Sequence, residues 1–369
     1  MVAPAGWRRW RRRLGSWAPV LVLIALCLLI GLVNPNFFSV RNLVRIANAA
    51  AIPLILGLGA TFVIIMGSVD LSVEGVVALG AVVLSLLVLN GVNANDFGVF
   101  GALLVLLLGA AMGFLNGLVH VGLRIPSFMA TLGMWFVGVG VANAILGGTT
   151  VRVNDTLIRA LALERFLELP IAVWVALAAL AVAYFIQRFT RLGRYMYAIG
   201  GGEDLVALSG IDIKRCRVWI FTIAGVFYGL GGIVAAAQQG AGFPLIGQGR
   251  LFTTITAVVV GGTALWGGSG GVLQTLVGAL IVIVLGNGMV LMGISPYIQQ
   301  IVQGALILIA VAFSVDRAPG DRQMSALCSP CVISANLSPA CRRSRTYPSR
   351  SAPTKWWAWS VRMAPANPR

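Results

Sequence analysis

Residues 47–66 read ANAAAIPLILGLGATFVIIM, twenty residues without an ionisable side chain. About 20 apolar residues in α-helical form cross the hydrocarbon core of a bilayer. A barrel strand needs about 10 and alternates apolar with polar positions; no such alternation is present. The stretch therefore reads as a membrane-spanning helix. Outward from it, nine more apolar stretches recur, at 17–33, 72–90, 98–122, 128–146, 170–187, 218–238, 253–267, 271–292 and 297–315. The run at 253–267 is short, and is expected to be tilted, broken or partly re-entrant. The expected fold is all-α: a polytopic helical membrane protein with about ten transmembrane helices.

Composition agrees. Of 369 residues, 59% are hydrophobic and 10% charged, against about 25% charged in a soluble domain. So little charge cannot coat a water-facing surface, which excludes a soluble enzyme, a disordered chain and a fibrous protein. The net charge of +16 would suggest nucleic acid in a soluble protein, but here the basic residues sit at the edges of apolar spans. Arg8, Arg9, Arg11, Arg12 and Arg13 precede the first span; Arg188, Arg191, Arg194, Lys214, Arg215 and Arg217 bracket a long loop. With Arg124, the expected cytoplasmic segments before the tail hold twelve basic residues. The expected outer segments hold six: Arg41, Arg45, Arg152, Arg159, Arg165 and Arg250. This bias is the positive-inside pattern and puts both termini in the cytoplasm. No small-residue cleavage site follows Val33, so the first span is expected to be retained.

Three segments result. Residues 1–16 form a basic cytoplasmic N-terminus, 17–315 a transmembrane domain with a cytoplasmic loop at 188–217, and 316–369 a basic tail. The tail is rich in Arg, Pro, Ser and Ala and has no span; it is expected to be disordered, either a dispensable extension or an out-of-frame product.

Candidate chemistry is sparse. His120 is the only histidine, and no Gly-x-x-x-x-Gly-Lys-Ser/Thr loop is present to cradle phosphates. Cys328 and Cys331 form a Cys-x-x-Cys without a complete set of further ligands, so no metal site and no bound cofactor are expected. Near the joint of the second and third spans, Asp70 is expected to cap the third helix and Glu74 to lie in its first turn, both favoured by orphan N–H groups. A proton- or sodium-driven carrier generally needs an ionisable group near the midplane. This chain has amides instead, among them Gln239 and Gln274. Asn116, Asn143, Gln238, Asn287 and Gln303 are the candidate path residues for an uncharged, hydroxyl-rich solute; interhelical hydrogen bonding is the structural alternative.

The loop at 188–217 carries the clearest functional signal. Glu203-Asp204-Leu205-Val206-Ala207-Leu208-Ser209-Gly210 reads as a short helix with acids in its first turn and glycine at its end. An amphipathic inner helix bracketed by basic residues reads as a docking element or, more plainly, as a helix on the membrane surface.

At these residues the chain resembles the permease subunits of bacterial ATP-binding-cassette importers of the ribose, xylose and simple-sugar type. Four stretches carry the resemblance: Asn36-Phe37-Phe38-Ser39 with Arg41-Asn42-Leu43; Gly67-Ser68-Val69-Asp70-Leu71-Ser72-Val73, similar to a Gly-x-x-Asp-Leu-Ser-Val motif; Gly193 to Gly201 continuing to Leu208-Ser209-Gly210-Ile211, similar to the coupling loop; and Gly261-Gly262-Thr263 through Gly270, with Ser295-Pro296-Tyr297 beyond. The resemblance covers residues 17–315 and implies a multi-pass protein of the bacterial inner membrane. It implies as partners a cytoplasmic ATPase that alone uses ATP, a periplasmic solute-binding protein, and a second permease copy or a paralogue. Membrane lipid is the surrounding solvent, and no nucleic acid is expected. Glu203, Asp204, Leu205, Ala207, Leu208, Ser209 and Gly210 then become coupling residues, and Gly67, Asp70, Leu71 and Ser72 a family motif.

Glu74 departs from the glycine that many sugar permeases carry, which leaves the solute subgroup open, and the tail has no family counterpart. The expected function is passage of a small solute, a monosaccharide first. A nucleoside, polyol, autoinducer-type furanose or branched-chain amino acid are alternatives within the same machinery; an autonomous secondary carrier is the weakest reading.

Overall fold

The computed structural model describes residues 5–315; the expected tail at 316–369 lies outside the described residues. Thirteen α-helices follow in order among them: α1 (Ala5–Val33), α2 (Val40–Ile65), α3 (Val73–Leu87), α4 (Gly98–Gly122), α5 (Ser127–Leu146), α6 (Thr156–Leu163), α7 (Ile171–Phe189), α8 (Arg191–Gly201), α9 (Glu203–Leu208), α10 (Ile213–Gln239), α11 (Arg250–Val260), α12 (Val272–Leu291) and α13 (Pro296–Val315). Each of the ten apolar stretches contains a helix. Six of these helices, α2, α4, α5, α7, α10 and α12, are long and apolar enough to cross a membrane. The chain is a polytopic helical membrane protein.

Local chemistry starts and stops these helices. Ser39 accepts a hydrogen bond from the Asn42 amide at the start of α2, Thr190 from Gly193 at α8, and Asp212 from Arg215 at α10. Such caps satisfy amides that have no intrahelical partner.

Helices α2 and α10 are buried along most of their length and form the centre of the bundle. On its outside, Leu107 on α4, Phe136 on α5 and Phe185 on α7 are exposed. Large apolar side chains turned outward suit lipid rather than water. Helices α4 and α10 cross in close contact. There a methyl group added at Gly113 would run into the Phe221 carbonyl, and one at Gly225 into that of Gly109. Small residues let backbones approach where apolar side chains gain nothing by leaving lipid.

Two parts of the chain differ from the sequence-based expectation. The stretch at 188–217 is not mainly loop: α7 runs on to Phe189, and α8 and α9 form a helical hairpin before α10 begins at Ile213. The cause is a buried face, since Gly193, Met196 and Ile199 recur every three residues on α8 and turn inward. The apolar run 253–267 is helical only to Val260. Its glycine-rich continuation leaves the helix and folds against the end of α2, where the Gly268 amide donates to the Ile65 carbonyl at 2.8 Å. A further short helix, α6, has its N-terminus capped by Asp155. Beside it Val151–Arg152 pairs antiparallel with Ala241–Gly242, next to the end of α10.

Candidate functional site

Three places on the bundle gather polar groups. The first is the joint between α2 and α3. Asp70 does not cap α3 as expected, because Ser72 occupies the position before that helix. The Asp70 carboxylate turns back and accepts from the Ser72 amide at 2.9 Å and the Ser72 hydroxyl at 2.7 Å. A bond to the residue two positions on is an Asx turn, which competes with a cap for the same oxygen. Asn116 on α4 donates to the Ser72 hydroxyl at 2.8 Å. From α5, Ser127 and Thr131 accept the amides of Val69 and Leu71 at 3.1 and 3.0 Å. Tyr228 on α10 is fully buried, and neither its hydroxyl nor the second Asp70 oxygen has a hydrogen-bond partner among the described residues. Helix α5 thus satisfies backbone amides that would otherwise be orphaned inside the bundle, while α4 steadies the Ser72 side chain.

Glu74 lies in the first turn of α3, as expected, but its carboxylate serves another helix. It accepts from the Leu251 amide at 3.0 Å, at the start of α11. A negative charge on a helix N-terminus satisfies free amides and the helix dipole together.

The second place is a cavity of about 490 Å³, lined by Arg45 on α2, Gln238 at the end of α10, Arg250 and Thr253 on α11, Asn287 on α12 and Gln303 on α13, among others. Its volume falls in the usual range for small-molecule sites. Gln238 is held by Asn48, donating to its carbonyl and side-chain oxygens at 3.0 and 3.1 Å. Asn287 and Asn42 exchange hydrogen bonds at 2.9 and 3.0 Å, which joins α12 to α2. The cavity therefore brings together Gln238, Asn287 and Gln303, but not Asn116 and Asn143. Asn116 is fully buried in the α2–α3 joint. Asn143 is exposed on α5 and bonds its own helix at Val139.

The third place is the α8–α9 hairpin, at the opposite end of α2, α10 and α12 from the cavity. Val206 is buried, whereas Leu205 and Leu208 are 70% and 85% exposed. Glu203 pairs with Arg217 on α10 at 2.6 Å, and Gly210 follows the helix in a left-handed turn (φ 75°). Ala207 lines a surface pocket with His120, Arg124 and Lys214. Behind the hairpin the Tyr197 hydroxyl donates to the Gly270 carbonyl at 2.6 Å and accepts from Gln187. Burial raises the pKa of this phenol, so it remains a donor at neutral pH.

Sequence reasoning missed Ser127, Thr131, Tyr228 and Gln187, and counted Arg45 and Arg250 only as loop cations. One signal was available: Ser127 and Thr131 are four apart on one face of a helix. Nothing local marks Tyr228 or Gln187.

Comparison with known proteins shows the family. Residues 42–311 match the family described as branched-chain amino acid transport system / permease component. The ribose import permease protein of Escherichia coli is 36% identical over 309 residues, covering 82% of this chain and 94% of that protein. The D-allose transport system permease protein of Escherichia coli is 31% identical over 307 residues, covering 80% and 90%. The fructose import permease protein of Rhizobium meliloti is 31% identical over 306 residues, covering 80% and 83%. No solved structure matches the chain. Its helical membrane architecture, the Gly67–Ser72 joint, the α8–α9 hairpin and these relatives converge: the chain belongs to the family of permease subunits of ATP-binding-cassette importers, of the ribose and simple-sugar type.

Proposed function

We propose that the chain passes a monosaccharide inward across the bacterial inner membrane, as one of two permease subunits driven by a separate cytoplasmic ATPase and supplied by a periplasmic solute-binding protein. The second subunit is another copy or a paralogue. In this reading ten helices cross, both termini lie in the cytoplasm, the cavity end faces outward and the hairpin end inward. Residues 17–315 are the transport domain, and ATP is bound and hydrolysed by the partner.

The observation that carries the proposal is the division of labour along α2, α10 and α12. An amide-lined cavity lies at one end, and a helical hairpin with two exposed leucines lies at the other. Amides offer both donors and acceptors to sugar hydroxyls, without a charge that would hold them tightly. The exposed leucines fit a groove on a protein partner, through which ATP-driven displacement enters. Glu203, Asp204, Ala207, Ser209 and Gly210 shape that hairpin.

The name of the matched family raises a branched-chain amino acid as a second reading. An amino acid carries an ammonium group as well as a carboxylate. The charged side chains lining the cavity are Arg45 and Arg250, and no carboxylate lines it among the described residues. Nothing in the lining thus meets an ammonium group, whereas guanidinium N–H groups and amides can all hydrogen-bond sugar hydroxyls, which supports a sugar over a zwitterion.

Replacing Ala207 and Leu208 together by Arg tests the proposal. The expected result is loss of ATPase co-purification, or uptake of labelled ribose, allose and fructose reduced at least tenfold, with normal membrane insertion. A variant that keeps its ATPase and wild-type uptake sinks the coupling assignment. A wild-type importer that takes up labelled leucine and no sugar sinks the monosaccharide.

A further inference from the structure

We infer that Gln187 and Tyr197 form the link by which displacement of the α8–α9 hairpin reaches α12, and with it Asn287 in the cavity wall. This rests on the coupling role proposed above and names residues that neither touch the solute nor belong to the exposed docking face.

Helix α8 packs on α7, α9, α10 and α2, and its end touches the backbone of Gly268 just before α12, the helix that carries Asn287. That contact has no side-chain hydrogen bond to hold it; Gln187, two residues from the end of α7, supplies one to α12 itself. Its side-chain oxygen accepts from the Val272 amide, the first of α12, at 3.0 Å. Its side-chain nitrogen donates to the Tyr197 hydroxyl in the middle of α8. That hydroxyl donates in turn to the Gly270 carbonyl at 2.6 Å, two residues before α12. One amide and one phenol thus tie the ends of two helices to the centre of a third.

From Val272 to Asn287 the helix rises about 22 Å, at 1.5 Å per residue. It is fastened to α2 at two levels on the way, by the Thr61–Thr275 hydroxyl pair at 2.5 Å and by the Asn42–Asn287 amide pair. A helix held this way moves as a unit, so a shift at its first turn becomes a shift of the cavity wall. Small helix movements of this kind, about 1–2 Å, are common in switching proteins. Helix α10 offers a second route, from Glu203–Arg217 at the hairpin to Gln238 in the cavity. That pair is partly exposed, and surface ion pairs contribute little. The Gln187–Tyr197 link is half-buried too, but it fastens α7, α8 and the start of α12 together through three hydrogen bonds and so carries more of the coupling.

Gln187 and Tyr197 are positioning residues, and the readout that separates positioning from simple stability is the amount of solute imported per ATP hydrolysed. The complete importer (permease, ATPase and binding protein) is reconstituted in vesicles with ribose, allose or fructose, whichever the wild type imports best. Tyr197→Phe keeps the ring and removes both hydrogen bonds; Gln187→Met keeps the length and removes the amide. Each variant is expected to retain its ATPase and to hydrolyse ATP within twofold of wild type, while importing at least fivefold less solute per ATP. The double variant is expected to match the singles, because they break one link, and Arg217→Ala to lower the ratio less than twofold. A wild-type ratio in Tyr197→Phe and Gln187→Met overturns the inference, as does a fall in uptake and hydrolysis in step. If the wild-type permease binds no ATPase, the coupling role and the inference fall together; if it binds and couples but the two variants do so equally well, the link alone falls.

Discussion

At the hairpin end of the bundle, backbone meets backbone; at the cavity end, side chains meet across open space. Gly200, the penultimate residue of α8, lies so close to α2 that a methyl group there would overlap the Ile65 carbonyl oxygen. The same carbonyl accepts from the Gly268 amide at 2.8 Å. Three separate stretches of the chain, around Gly67, Gly200 and Gly268, thus meet with no side chain between them. At the other end Arg45, Gln238, Arg250, Asn287 and Gln303 reach into a shared cavity from five helices. Backbone contacts are the same for every solute and cannot be retuned by substitution. Side chains can be exchanged singly, so one scaffold can serve several solutes while keeping one mechanical junction.

This contrast ranks the expected effects of substitution. The largest is at the junction. Gly200→Val forces a branched side chain against the Ile65 carbonyl and the Gly268 amide, where neither backbone can give way. Overpacking of this kind costs about 3 kcal/mol. The expected outcome is loss of the monodisperse peak in size-exclusion chromatography in detergent, and no uptake. A stable, transporting Gly200→Val protein would mean that the junction is loose, and the contrast between the ends would collapse.

An intermediate effect is expected at the α2–α3 joint. Asn116→Leu leaves the buried Ser72 hydroxyl without its donor and puts an apolar group in a polar nest, a loss of about 1–3 kcal/mol. Thermal unfolding in detergent is expected to shift down by several degrees with insertion intact. An unchanged midpoint would remove the joint from the rigid part of the scaffold.

The smallest effect on stability, and the sharpest on specificity, is expected in the cavity. Asn287→Ala breaks the pair with Asn42 and opens the wall. The KM for sugar uptake is expected to change several-fold, with expression and ATPase co-purification as in wild type. Loss of expression in this variant would make Asn287 a structural residue instead.

Much of this architecture was legible in the residues, and the limits of legibility have physical causes. Apolar runs announce spans because lipid imposes a length and excludes charge, so 98–122 coincides with α4, whereas 47–66 misses the first two turns of α2, whose Arg41 and Arg45 read as loop. The helix at Glu203–Leu208 was legible too, since acids in a first turn and a closing glycine act locally. Helix α8 was not: it is amphipathic and only eleven residues long, and its arginines read as loop. Asp70 was misread because a cap and an Asx turn use the same side chain within two residues, and only the backbone path separates them. Glu74 was placed in the correct turn, but its partner Leu251 is 177 residues away. Of five candidate path amides, the structure brings three together, since an amide buried for helix packing and one lining a cavity look alike in a string of letters.

By itself, then, the sequence determined the solvent, the apolar stretches, the charge asymmetry between segments and the helix at Glu203–Leu208, all of which arise from local periodicity and composition. Its motifs, such as Gly67–Val73, carried the resemblance to a permease family. The tertiary structure decided which carboxylate serves which helix end, which amides face the cavity, and that Gln187 and Tyr197 join α7, α8 and α12. Those outcomes depend on contacts between residues tens to hundreds of positions apart. Helix rotation and crossing set such contacts, and no local pattern encodes them.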